Sequence, residues 1–101
     1  MSAPTAIDDV AKERRRQIEC EGWTEEHDNS HLPGELAAAG AAYAASASRL
    51  LNGDRTAPQC DPPRLWPWNR RWWKPKDPRR DLVRAAALLV AEIERIDRAP
   101  K

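Results

Sequence analysis

The stretch DPRRDLVRAAALLVAEIERIDR, residues 77–98, decides the fold. Asp77 followed by Pro78 opens an α-helix: the carboxylate accepts free amides of the first turn, and proline sits where a missing N–H leaves nothing unsatisfied. Beyond them Leu82, Ala86, Leu89, Ile93 and Ile96 recur on one helix face, widened by Val83, Ala85 and Val90. Glu94 and Arg98 lie four apart and support the outer face. A helix over about 78–98 follows.

Working outward, a second helix is predicted over about 33–51. Pro33 suits its first turn, and Asn52-Gly53 ends it. Leu36, Tyr43 and Leu50 fall on one line with Gly40, Ala44, Ala47 and Leu51, and most other positions are alanine. So smooth a surface lets another helix approach closely, which places this helix centrally. A third helix spans about 5–21. Thr5 caps it, and Asp8 reaches back to the open amides. Its apolar stripe is thin, limited to Ile7, Val10, Ala11 and Ile18. Gly22 supplies the left-handed residue that closes it, and Trp23 follows where a hydrophobe folds back on Ile18.

Two connectors remain. Residues 22–32 are polar and without periodicity, a loop. Residues 54–77 hold Pro58, Pro62, Pro63, Pro67 and Pro75 with Trp66, Trp68, Trp72 and Trp73. Four indoles carry too much apolar area to be left in water, so this long loop is ordered by its own side chains. The expectation is one mainly α domain of 101 residues, with three main helices and an ordered Pro/Trp-rich loop before the last. Having one strongly apolar helix and a small core, such a chain gains burial by homodimerising through the helix at 33–51 or the helix at 78–98.

Composition narrows the classes. At 41% hydrophobic and 33% charged the chain is globular, and no apolar run approaches the roughly 20 residues of a bilayer span. Met1-Ser2-Ala3-Pro4 lacks the layout of a secretory signal, so a cytoplasmic protein is expected. Cys20 and Cys60, with no Cys-x-x-Cys spacing, read as free thiols. The net charge is +1, short of the footprint of general nucleic-acid binding. That balance hides an asymmetry. Residues 19–35 carry six acids and no Lys or Arg, and residues 64–80 carry seven bases against Asp77. Either the segments face each other or they present two surfaces to ligands.

Two constellations carry candidate chemistry. In the first, Trp23, His27, Asp28, His31 and Glu35 gather histidine and carboxylate. His27 and His31, four apart, share a face if the stretch is helical, and with Asp28 and Glu35 they are weak candidates for a divalent metal. The alternative is a network that orders the loop. In the second, residues 64–80 alternate indoles with cations, as a base plus a phosphate requires. Trp72, Trp73, Lys74, Arg79 and Arg80 are the candidate contacts, the two arginines in the first turn of the last helix, where free amides already favour an anion. The alternative is that the indoles lid the core and the cations pair with the acidic segment. No glycine-rich phosphate loop, Gly-x-Ser-x-Gly elbow or His-Glu-x-x-His occurs, so no catalytic residue is assigned, no cofactor beyond that metal is called for, and a binding protein is favoured over an enzyme.

Several families bear comparison. Glu21-Gly22-Trp23-Thr24-x-Glu26-His27-Asp28-x-x-His31, then Trp66-Pro67-Trp68 and Trp72-Trp73-Lys74-Pro75-x-Asp77-x-Arg79-Arg80-Asp81-Leu82-Val83, together resemble a family of small phage and prophage proteins. That resemblance covers nearly the whole chain and brings no activity with it. Gly22, Trp23, Asp28, His31 and Pro33 also follow the order of the RyR domain, the ryanodine-receptor repeat, although its Tyr-Gly after the Trp is missing. This second resemblance implies a ligand-recognition module with adenine-type nucleotides as candidates. In helix content the chain is similar to nucleotide pyrophosphohydrolases of the MazG kind, but Glu25-to-Asp28 and Glu94-to-Asp97 match only half of that family's carboxylate set, and no Glu-x-x-Glu exists. The leading expectation is capture of a nucleotide-like anion, with Trp72, Trp73, Lys74, Arg79 and Arg80 stacking and neutralising it while Trp23, His27, Asp28 and His31 close the other side. A phage source implies sequestration of a host immune signal in the host cytosol. The alternatives are a module that inhibits a host protein through the Trp-rich loop, and a metal-dependent hydrolase.

Overall fold

A computed structural model of the chain describes residues 5–21, 33–54 and 62–99. Among them lie three α-helices, α1 (Ala6–Glu21), α2 (Glu35–Leu51) and α3 (Pro78–Arg98), and a single 3-10 turn over Arg70–Trp72. The described residues hold no strand, so the fold is a small all-α domain.

The helix ends follow from local chemistry. At α1 the Thr5 amide donates to Asp8 Oδ2 at 2.9 Å while the Asp8 amide donates to Thr5 Oγ1 at 3.2 Å, a reciprocal cap. At α3 the Arg80 amide donates to Asp77 Oδ1 at 3.0 Å, with Pro78 inside the first turn. Helix α2 starts two residues later than its Pro33 predicts. Gly34 is in the left-handed region at φ 90°, which no helical turn accommodates, so Pro33-Gly34 forms the lead-in turn and Glu35 is the first helical residue.

Helix α3 is the hub: α1 and α2 each dock mainly on it. The α2 contact is the tighter. A Cβ placed on Gly40 would stand 2.9 Å from the Ala85 carbonyl oxygen and 3.3 Å from Leu89, so the two backbones touch there. Leu36, Ala39, Ala42 and Tyr43 of α2 pack with Ala85, Leu88 and Ala91 of α3 in the core. Toward α1 the contact is polar. Arg14 donates to Glu94 at 2.9 Å and Arg80 to Glu13 at 2.7 Å.

Of the apolar stripe that marks α3 in the sequence, Val83 and Ala85 at its edges are buried, but its large central residues stay out of this core. Leu82, Leu89, Ile93 and Ile96 are 41%, 43%, 57% and 57% exposed, and the buried positions are Asp81, Val83, Ala85, Ala87, Leu88, Ala91 and Glu92. Small residues permit the close approach that α2 needs, and the larger Leu and Ile are turned outward. On α2, Leu50 is half-buried and Leu51 exposed, so the line through Leu36 and Tyr43 fades at its C-terminal end.

Candidate functional site

The connector before α3 is held by a chain of local bonds. The Trp66 amide donates to the Pro63 carbonyl at 2.9 Å, closing a turn. Asn69 caps the 3-10 turn by accepting from the Arg71 amide at 2.9 Å, and its carbonyl takes the Trp66 indole N–H at 3.1 Å. Those bonds bring three of the four indoles inward. Trp73 stacks on Tyr43 with ring centroids 4.6 Å apart, and Trp66 meets Tyr43, Trp68 and Trp73 edge-on at 5.5, 5.2 and 5.1 Å. Trp68 donates from its indole nitrogen to Glu35 Oε2 at 2.9 Å.

Both neighbouring helices clamp this cluster. Arg84 of α3 lies over the Tyr43 ring at 5.0 Å, donates to its hydroxyl at 3.1 Å and donates to the Lys74 carbonyl at 2.8 Å. The Lys76 amide donates to Asp81 Oδ1 at 2.7 Å. The connector is thus a strap fastened to α2 and α3.

Trp73, at 5% exposure, is therefore a core residue whose ring is occupied by Tyr43 and Trp66, and it has no face left for a ligand. Trp72, the next residue back, is 55% exposed, and the Arg71 guanidinium lies 5.0 Å from its ring centre. Lys74 and Lys76 extend into solvent nearby in the chain, and no ion pair joins either of them, or Arg71, to another described residue. Arg71 was not among the residues singled out from the sequence; its position beside Trp72 in the alternating run is the signal that marks it.

Arg79 and Arg80 are engaged by α1. Arg79 donates to Asp9 Oδ2 at 2.7 Å, and Arg80 to Glu13 Oε1 at 2.7 Å. Arg79 and Arg80 of the basic run are thus met by acids of the first helix, and in the 19–35 segment the described Glu35 accepts from Trp68. Between α1 and the start of α3 lies an open depression of about 350 Å³ lined by Asp9, Lys12, Glu13, Arg16, Arg79, Arg80 and Val83. Its four cations outnumber its two carboxylates. Burial pushes Glu13 upward, but hydrogen bonds from Arg16 and Arg80 outweigh that and hold its carboxyl below the ordinary value. It therefore stays charged at neutral pH.

Trp23, His27, Asp28 and His31 lie outside the described residues. Of the metal candidates only Glu35 is described, and its carboxylate accepts from Trp68. Among the described residues no group of three or more His, Cys, Asp or Glu is placed to hold a metal ion. No described helix is long and apolar enough to cross a membrane. No protein-family model matches the chain, and neither curated proteins nor solved structures yield a match.

Proposed function

We propose that this chain is a protein-interaction module that presents Trp72 and Arg71 to an acidic surface of its partner. The exposed indole of Trp72, standing on a strap whose other three indoles are packed, carries this reading. Tryptophan and arginine dominate interface hot spots because each combines broad apolar area with directed polar contact. Here they are adjacent and already stacked, so little side-chain freedom is lost on docking. Arg64, Arg70, Lys74 and Lys76 surround them in the chain with no acid between Arg64 and Asp77, which suits an acidic partner. The resemblance to phage proteins makes a host protein the natural candidate.

The test is capture of partners on immobilised full-length chain, compared with Trp72→Ala. The expected result is loss of a specific, salt-sensitive partner with the far-UV helical signal intact. A partner retained at full strength by Trp72→Ala and by Arg71→Ala removes the proposal.

A second reading keeps the nucleotide-like anion and moves it to the depression between α1 and α3, favoured by the surplus of cations there. In that case a nucleotide panel raises the melting temperature of the wild-type chain. Lys12→Ala and Arg79→Ala abolish that shift, and Trp72→Ala leaves it unchanged.

A further inference from the structure

We infer that the outward face of α3 is a homodimer seam, formed with α3 of a second copy in antiparallel orientation. Around α3, at about 100° per residue, positions 81, 85, 88 and 92 face one way and 80, 83, 87, 91 and 94 another. The first set includes the α2 contact at Ala85, and the second includes Arg80 and Glu94, which bond α1. The remaining third of the circumference is centred on Leu82, Ala86, Leu89, Ile93 and Ile96, and its four large members are all exposed, Leu89 also lying beside Gly40 of α2.

Their spacing alternates between four and three residues, the repeat by which one helix packs knobs into the holes of another. A single helix therefore fits this strip along its length. The strip also fits itself. With Leu89 on the two-fold axis, an antiparallel copy sets Leu82 against Ile96 and small Ala86 beside Ile93, so bulk meets space at each level. Charge runs the same way. The strip is flanked by Arg79 in the first turn, 66% exposed beside its bond to Asp9, and by exposed Asp97 in the last turn. Antiparallel pairing sets this cation toward that acid of the other copy and opposes the two helix dipoles, whereas parallel pairing stacks like on like.

The 21 residues of α3 give a seam about 30 Å long. One helix from each copy lies at the small end of specific interfaces, below about 1,200 Å² in total, so the dimer is reversible with a Kd on the order of micromolar. It is independent of the strap and stands whether or not Trp72 binds a partner.

Sedimentation of the full chain over about 1–500 μM tests the seam. The mass is expected to rise from 11.4 kDa toward twice that value. Ile93→Glu, at an exposed position, is expected to weaken association by about 50-fold or more while the helical signal stays, because a carboxylate cannot be buried unpaired. Should that variant lose helix, Ile96→Lys at the far end of the strip carries the same expectation. Orientation is read from oxidative cross-linking, with linked peptides identified by mass so that Cys20 and Cys60 are told apart. L89C chains are expected to link to each other, and L82C chains to link to I96C chains but not among themselves. A monomer at every concentration, a dimer indifferent to Ile93→Glu, or L82C chains that link among themselves overturns the proposal.

Discussion

Four donors, from Arg16, Gln17 and Arg80, converge on the two oxygens of Glu13, which is almost sealed between α1 and α3. Because its folded value is depressed, the stability it contributes is present above the ordinary glutamate value of about 4.3 and is lost as pH falls through the lower folded value. Glu13→Gln is expected to cost about 2 kcal/mol at pH 7, since it leaves Arg16 and Arg80 short of a charged acceptor, though both are partly hydrated. The same variant flattens the acid limb of a melting-temperature profile. Asp81 behaves in the opposite sense. Burial raises its carboxyl, against the Lys76 amide bond that lowers it. Its contribution is full below about pH 3.9 and shrinks as pH rises through the raised value. Relative to Asp81→Asn, the wild-type chain is therefore expected to gain melting temperature between pH 7 and pH 4. An equal difference at both pH values contradicts this.

At the scale of elements, Gly40 sets how closely α2 and α3 approach. Alanine there improves helix propensity by about 1 kcal/mol, yet its methyl meets a carbonyl oxygen that belongs to backbone and cannot turn aside. The expected net effect of Gly40→Ala is a loss of about 1–3 kcal/mol, measured by urea unfolding. The helices themselves were legible: capping residues, Pro78 and Asn52-Gly53 mark their ends, and periodicity marks their type. Which face of α3 turns inward was not legible, because periodicity finds an apolar strip without saying what covers it. Here the alanines of α2 select the small-residue side of α3, and the strip goes elsewhere. In the connector, composition announced an aromatic cluster. It did not distinguish Trp73 from Trp72, since those neighbours separate only once the Asn69-capped turn is in place. Nor did it pair Arg79 and Arg80 with Asp9 and Glu13, some 70 residues distant in the chain.

Across the whole molecule, stability and recognition are divided between those two adjacent indoles. Trp73→Ala removes a ring from the centre of the core and is expected to cost about 3–5 kcal/mol. Trp72→Ala removes an exposed ring and is expected to change stability by no more than about 0.5 kcal/mol. Thermal unfolding of the pair decides the matter, and equal losses contradict the division. The strap itself has a spectroscopic consequence. Tyr43 and three indoles, each with its centroid within 5.5 Å of at least one other, couple their electronic transitions, so the near-ultraviolet dichroism of this chain reports the strap, while the far-ultraviolet signal reports the helices. Two dyes are in effect built into one chain: recording both through a single thermal ramp shows whether the strap unlatches before the bundle melts or leaves with it.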